Sequence, residues 1–140
     1  MKFKYDDDFK QLREACPPVE YLPSEMEVYR WVYEDIMHQD NFVSQYHKKP
    51  KRFITKNDVE KCKAMTLSMF DSLENAKKRF HTILNINGSE VYQTLGSHIA
   101  KGLIQLSDGV NSHIENNGHL SHHPSYEADY KNSFVIIEKL

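Results

Sequence analysis

The sequence predicts an α+β fold in which the helical N-terminal two thirds pack on a small, mainly antiparallel sheet formed largely by the C-terminal third. Three observations support this division. Apolar residues recur at helical spacing through most of the first two thirds. All five glycines lie between positions 88 and 118. Short runs rich in isoleucine, leucine and valine, bounded by turn residues, occur in the last third.

Length and composition predict one α+β domain spanning residues 1–140. A chain of 140 residues lies within the commonest domain size of about 100–150 residues. Hydrophobic residues make up 39% and charged residues 27%, which separates the chain from the intrinsically disordered class. No internal repeat, low-complexity tract or linker divides the sequence.

Residues 24–39, SEMEVYRWVYEDIMHQ, carry the pattern of an amphipathic helix. Ser24 followed by Glu27 matches a capping box, in which each side chain accepts from a free backbone N–H of the first turn. The apolar residues at helical intervals are Val28, Trp31, Val32 and Ile36. We therefore expect a helix here, with the single tryptophan as a core anchor.

The run KKPKR at residues 48–52 is interrupted by proline and predicts a basic loop. Such a run can bind phosphate, and the candidate phosphate- or nucleic-acid-binding residues are Lys48, Lys49, Lys51 and Arg52. The whole chain has 18 basic and 20 acidic side chains and a net charge of −2, so no global field attracts a polyanion. A solvated loop is the simpler interpretation, and nucleic-acid binding is the weaker hypothesis.

Residues 55–84 allow two interpretations. Apolar side chains recur at alternating threes and fours, which would give one long helix with a single apolar seam. Asp71 followed by Glu74 instead matches a second capping box inside the run, and MTLSMF at residues 65–70 alternates like a strand. Because a helix of about thirty residues is unusual in a small domain, we favour a helix, a short strand and a helix from about 72 to 84.

Two segments of the last third have the composition of strands, SHIAKGLIQL at residues 97–106 and FVIIEKL at residues 134–140. Between them, SDGV at 107–110 and ENNGH at 115–119 carry the Asp-Gly and Asn-Gly pairs of tight turns. This part of the chain therefore predicts most of the sheet.

Three clustered histidines form the most distinctive motif, because His119, His122 and His123 offer three nitrogen ligands for a zinc-like ion. In extended backbone His119 and His123 would share a face but stand about 13 Å apart, and His122 would point the other way. Gly118 and Pro124 leave little room for the helical turn that would gather the rings. A turning loop with diverging rings is therefore favoured over a bound metal.

Acid–base catalysis is the second hypothesis for this segment. Imidazole titrates near neutrality, so a histidine pair can donate and accept a proton in one turnover. The candidate pair is His98 and His119, brought to one face by sheet pairing, with Glu127 orienting one ring. Phosphodiester cleavage or transfer to a nucleotide would suit such a pair, although no P-loop or nucleophile elbow accompanies it.

The sequence predicts neither a cofactor nor a membrane contact. Cys16 and Cys62 belong to no CxxC pair, so neither a disulfide framework nor a thiolate zinc site is suggested. The N-terminal MKFKYDDDFK lacks the apolar core of a signal peptide. No run approaches the ~18 apolar residues that span a bilayer. We therefore expect a cytoplasmic protein.

Two functional classes stay open from the sequence. The favoured hypothesis is a small interaction or accessory module that acts through a protein partner or as a homo-oligomer. No catalytic constellation is complete, whereas aromatic residues of the kind found at interfaces are plentiful. The alternative is a small histidine-dependent enzyme that acts on a nucleotide or nucleic acid, with or without a metal. The sequence leaves open whether the protein is an enzyme.

Overall fold

A computed structural model describes residues 1–140 and contains one six-stranded antiparallel sheet. The strands are β1 (Met26–Val32), β2 (Leu67–Phe70), β3 (His98–Ile104), β4 (Gly109–Asn111), β5 (His119–Pro124) and β6 (Val135–Lys139). Their order across the sheet is β4-β5-β2-β1-β3-β6, so the first two strands of the chain lie at its centre.

Five helices connect and cover the strands: α1 (Asp6–Phe9), α2 (Gln45–Lys48), α3 (Asp58–Ala64), α4 (Leu73–Asn87) and α5 (Val91–Thr94). Only α4, with 15 residues, exceeds two turns. Its first turn is capped by the Ser72 hydroxyl, which accepts from the Asn75 backbone N–H. None of these helices is both long and apolar enough to cross a membrane.

The predicted division into a helical front and a β-rich back is wrong. The two central strands, β1 and β2, come from the first half of the chain, so the strands are spread along the sequence and are not confined to the C-terminal third. Helices nevertheless pack on an antiparallel sheet, so the broader α+β class is retained.

The helix expected at residues 24–39 is in fact strand β1 followed by a loop. Val28, Arg30 and Val32 are buried on one face, whereas Tyr29 and Trp31 point to the other. This alternation of β-branched and aromatic residues suits a strand that is paired on both sides. Because a central strand buries both faces, its apolar residues also satisfied the helical spacing.

The three-element interpretation of residues 55–84 is confirmed as α3, β2 and α4. The break falls where the sequence placed it, although the cap of α4 is Ser72 rather than Asp71. The strands expected near residues 97–106 and 134–140 are also confirmed, as β3 and β6. The histidine-rich segment, by contrast, is strand β5 and not a turning loop.

The two faces of the sheet carry separate apolar clusters. One face is covered by the loop between β5 and β6. It forms the larger core, which includes Val28, Leu67, Met69, Leu120 and Phe134. The other face packs against α4 through Phe80 and Ala76, which meet Trp31, Phe70 and Ile99. Central strands are therefore fixed from both sides, which holds their polar side chains in defined positions.

The sheet is split at its centre. β1 pairs with β3 along its whole length, from Met26 to Val32, but with β2 only through Tyr29 and Phe70. Two three-stranded halves, β4-β5-β2 and β1-β3-β6, therefore meet at a single residue pair. Beyond that pair the two central strands separate and leave room for side chains between them.

A disulfide joins Cys16 to Cys62 across 46 residues of sequence. It links the segment before β1 to helix α3. The expectation that the two cysteines form no disulfide is therefore wrong. Their spacing carries no local motif, so only the folded chain shows that they are neighbours.

Candidate active site

Ser68 and His119 lie side by side on the face of the sheet that α4 partly covers. β2 and β5 are antiparallel neighbours, with Ser68 opposite Ser121 and Phe70 opposite His119. Ser68 and His119 are thus diagonal residues on one face, a relation that allows long side chains to meet. The His119 Nε2 atom lies 3.0 Å from the Ser68 Oγ atom.

Glu115 completes this arrangement from the turn that precedes β5. The His119 Nδ1 atom lies 2.7 Å from the Glu115 Oε2 atom. The turn is closed by backbone hydrogen bonds from Glu115 N to His119 O and from Gly118 N to Glu115 O. Gly118 has a φ of +83°, which favours glycine. The Asn-Gly turn in the sequence is therefore what brings Glu115 to the imidazole.

Ser68, His119 and Glu115 form a proton relay, the name we use below for these three residues. Burial lowers the pKa of His119, and the Glu115 carboxylate opposes this shift. A neutral ring whose Nδ1–H donates to Glu115 has a free lone pair on Nε2 to accept the Ser68 proton. A hydroxyl, a base and a group that orients the base are the parts of an activated nucleophile.

A cavity of about 340 Å³ opens beside the relay. It is lined by Ser68 and His119, by the aromatic residue Trp31, and by the cations Lys63 and Arg79. Both cationic side chains are exposed at the rim. A substrate that places negative charge next to the Ser68 hydroxyl would therefore meet two positive charges.

A second, smaller cavity of about 110 Å³ occupies the split between β1 and β2. The Arg30 side chain lies in its wall, where Nε donates to Asn41 O at 2.9 Å and Nη1 donates to Ser68 O at 2.8 Å. Arg30 is only 8% exposed and takes part in none of the ion pairs of the structure. Burial lowers the pKa of this guanidinium to about 10.

Lys48 brings a second positive charge to the small cavity. Burial lowers the pKa of Lys48 to about 8, and the nearby Arg30 charge acts in the same direction. Lys48 Nζ lies 5.3 Å from the centre of the Tyr33 ring, and Asp40 is the one carboxylate in the lining. Two partly desolvated cations facing one carboxylate leave an excess of positive charge, which a bound anion would neutralise.

The structure does not bring the predicted catalytic trio together. His98 lies on β3, which is separated from β5 by β1 and β2, and its Nδ1 atom is 2.8 Å from the Ser97 hydroxyl. Glu127 is exposed in the loop after β5. His119 alone belongs to the relay. Its partner Glu115 lies inside the predicted Asn-Gly turn, and that turn was the available sequence signal.

The predicted phosphate-binding run is divided by the fold. Lys48 ends α2 and faces the small cavity. Lys49 follows α2, and Lys51 and Arg52 lie in a short 3₁₀ helix (Pro50–Phe53); all three residues are exposed. Of the four candidates, only Lys48 therefore has a structural reason to meet a bound anion.

The three predicted metal ligands diverge along β5, as extended backbone requires. His119 faces Ser68, and the buried His122 points into the larger core. There its ring nitrogens meet Asn111 Oδ1 and the Tyr130 hydroxyl. His123 is turned toward the disulfide instead. The three rings therefore have separate partners and do not share one ligand position.

Comparison of the chain with protein-family models, with curated proteins and with solved structures gives no match. The candidate site is therefore argued from its own geometry.

Stability is expected to fall as the pH is lowered from about 6.5. Burial lowers the pKa of His122 to about 3 and that of His123 to about 4, against about 6.5 for an unfolded chain. Below pH 6.5 these two rings alone leave the unfolded chain with up to two more bound protons than the folded one, and the lowered pKa of His119 acts in the same direction. For these two rings the free energy of unfolding should fall by as much as roughly 3 kcal/mol per pH unit.

Urea unfolding at pH 7.5, 6.0 and 5.0 measures this slope above the range in which most carboxylates titrate. Replacing the exposed His113 with asparagine is the control and should leave the slope unchanged. A constant free energy of unfolding across this range would show that the two buried rings are charged in the folded protein.

Proposed function

We propose that the protein is an enzyme that transfers or hydrolyses a phosphate-bearing group of a nucleotide-class substrate. The supporting observation is the relay, in which His119 lies within hydrogen-bond distance of both the Ser68 hydroxyl and the Glu115 carboxylate. Ser68 acts as nucleophile, His119 as general base and then general acid, and Glu115 holds the ring in the required tautomer.

The reaction proceeds in two balanced steps. The Ser68 oxygen attacks the substrate phosphorus, a P–O bond to the leaving group breaks, and the Ser68 proton passes through His119 to the leaving oxygen. Water, or an acceptor hydroxyl, then attacks the phosphoserine. Its proton passes to His119 and returns to Ser68 as that oxygen leaves.

The substrate class follows from the two cavities. Ser68 and Trp31 line both of them, so a ligand can place one group in the small cavity and another at the relay. Arg30 and Lys48 suit a phosphate in the small cavity, because charge-assisted bonds to phosphate are the strong ones. Trp31, in the lining of both cavities, and Tyr33, in that of the small one, add aromatic surface against which a nucleobase would pack.

Positive charge at the relay supports phosphoryl chemistry over neutral ester chemistry. Lys63 and Arg79 stand close enough to His119 to act on its pKa in the lowering direction. The same two charges would stabilise the oxygens of a phosphoryl group in the transition state. This is the role that cationic clamps have in phosphoryl transfer.

Incubation of the protein with a panel of nucleoside mono-, di- and triphosphates and dinucleotides tests the proposal. Phosphorus NMR and ion-exchange chromatography would follow the products. We expect one substrate class to be turned over. The proposal fails if no member of the panel is converted and none binds.

Lys48 should contribute to anion binding more than its neighbours in the basic run. Changing Lys48 to glutamine is expected to raise the Kd for inorganic pyrophosphate by roughly 10- to 100-fold, because a charge-assisted hydrogen bond contributes about 1.5–3 kcal/mol. Isothermal titration calorimetry measures the Kd. Lys51→Gln, in the exposed part of the same run, is the matched control and should bind like the wild type.

An equal loss of pyrophosphate affinity in Lys48→Gln and Lys51→Gln would mean that the surface charge of the basic run, and not the small cavity, binds the anion. An unchanged Kd for pyrophosphate in Lys48→Gln would show that the anion does not bind at Lys48 in the small cavity.

A protein-interaction role is the second candidate, and one observation favours it. β6 is the last strand of the sheet and pairs only with β3, so its outer edge is free. Val135 and Ile137 on this strand are 65% and 44% exposed. An exposed apolar edge can pair with another chain. Sedimentation equilibrium tests self-association, and a monomer at all concentrations would count against pairing of two copies.

A further inference from the structure

A second cluster of reactive side chains lies away from the relay. Cys62 of α3 and Cys16 of the preceding segment meet His123 of β5. The His123 Nε2 atom is 3.6 Å from Cys62 Sγ and 3.9 Å from Cys16 Sγ. The three potential ligand atoms all lie within 4.8 Å of one another.

His123 lacks conventional hydrogen-bond partners. It is 0% exposed, its Nδ1 atom has no partner, and its Nε2 atom faces only the two sulfurs. Sulfur in a disulfide is a weak acceptor. The ring is instead held by aromatic neighbours, an edge-on contact with Phe9 at 5.2 Å and a tilted one with Tyr21 at 5.8 Å. A buried imidazole without an oxygen or nitrogen partner calls for an explanation.

We propose that reduction of the disulfide turns Cys16, Cys62 and His123 into a binding site for a zinc-type ion. In a tetrahedral site with Zn–S of about 2.3 Å and Zn–N of about 2.0 Å, a sulfur and a nitrogen ligand stand about 3.5 Å apart. His123 Nε2 already lies at close to this distance from both sulfurs. Only the two sulfurs must separate for an ion to enter.

The ligand chemistry fits a zinc-type ion. Two thiolates and one neutral imidazole are borderline-soft donors of the kind that zinc selects. Burial keeps the His123 ring neutral, so its nitrogen is available without loss of a proton. Coordination would satisfy Nε2, which the oxidised state leaves without a good partner.

A small thiol can supply the electrons and protons that reduction of the disulfide requires. Two molecules of a small thiol supply two electrons and two protons, the Cys16–Cys62 bond breaks, and the small-molecule disulfide leaves. The ion then displaces the two thiol protons and forms two metal–sulfur bonds. A disulfide oxidant reverses the exchange and releases the ion.

The cavity next to Cys62 offers room for a fourth ligand. A cavity of about 380 Å³ borders Cys62 and Tyr21 and carries Glu14 and Glu20 in its lining. Three protein ligands with an open fourth position are typical of zinc sites that bind water or a small ligand. The site is independent of the relay chemistry, so its test stands apart from that of the proposed function.

Cobalt titration of the intact chain tests the inference. The protein is reduced with a phosphine under nitrogen, freed of reductant, and titrated with Co²⁺ and then Zn²⁺. We expect one equivalent of Co²⁺ to give a thiolate-to-cobalt charge-transfer band that Zn²⁺ abolishes. The oxidised protein should give no such band.

Cys16→Ser, in the half-buried member of the pair, removes one thiolate and should weaken Co²⁺ binding at least 100-fold. His113→Asn, in an exposed histidine, is the control and should bind like the wild type. Circular dichroism records whether each sample is folded. Binding of less than a tenth of an equivalent by the reduced wild type overturns the inference, as does binding unaffected by oxidation or by Cys16→Ser.

Discussion

Ser68→Ala is expected to lower kcat for the phosphate-bearing substrate by at least about 10³-fold, because no other hydroxyl is held against His119. The Kd for pyrophosphate should change little, since Arg30 and Lys48 are untouched. The backbone carbonyl of Ser68 that accepts from Arg30 is retained. Steady-state kinetics and calorimetry on the same variant separate the two effects.

Ser97→Ala is the matched control. Ser97 also has its hydroxyl against a histidine, at 2.8 Å from His98 Nδ1, but no carboxylate of the structure forms an ion pair with that ring. The control should keep wild-type kcat. A phosphonofluoridate that labels activated serines should modify Ser68 alone and should not label His119→Ala. Undiminished turnover by Ser68→Ala would remove Ser68 as the nucleophile.

Cys16→Ser is expected to lower the free energy of unfolding by about 4 kcal/mol. The disulfide closes a loop with a sequence separation of 46 residues, and a bond over such a loop restricts the unfolded chain by about that amount. In the folded protein, residues 10–25 contain no helix or strand of their own. Without the bond, this segment is joined to α3 only through weaker contacts.

Urea unfolding in the presence of a chelator measures the decrease in the free energy of unfolding without interference from a bound metal. Wild-type protein under a reducing agent is the control and should match Cys16→Ser. A difference below 1 kcal/mol between oxidised and reduced wild type would contradict the loop-closure argument.

Strand β1 illustrates how far local pattern can predict this fold. Val28, Trp31 and Val32 satisfy a helical period, yet Val28 and Val32 are buried on one face while Trp31 packs on the other. A central strand buries the side chains on both of its faces, so its apolar residues do not alternate with polar ones. Its pattern therefore does not distinguish a strand from a helix. Where a cap and an alternation both marked the boundary, as at β2 and α4, the prediction was confirmed.

The candidate site was predicted only in part. His119 was identified because it belongs to the histidine cluster and imidazole titrates near neutrality. The three clustered rings diverge because the segment is extended. Ser68 lies in an apolar strand and became a candidate only through the pairing of β2 with β5. Glu115 lies in a turn that the Asn-Gly pair predicted. The orientation of its side chain toward His119 depends on the backbone angles of that turn, which residue spacing does not give.

Arg30 and the disulfide could not be predicted because both depend on contacts between distant parts of the chain. Arg30 lies inside the segment that the sequence predicted as a helix, whereas the split between β1 and β2 encloses its side chain. Cys16 and Cys62 become neighbours only when α3 packs beside the segment that precedes β1. Long-range pairing of this kind leaves no local sequence signal.

The protonation state of the His119 ring tests the central claim most directly. Long-range ¹H–¹⁵N NMR at pH 7.5 distinguishes a ring protonated on Nδ1 from one protonated on Nε2. We predict a neutral ring with the proton on Nδ1, strongly deshielded by Glu115 and less so in Glu115→Gln. A ring protonated on Nε2, or on both nitrogens, would contradict the account, because His119 could not then accept the Ser68 proton.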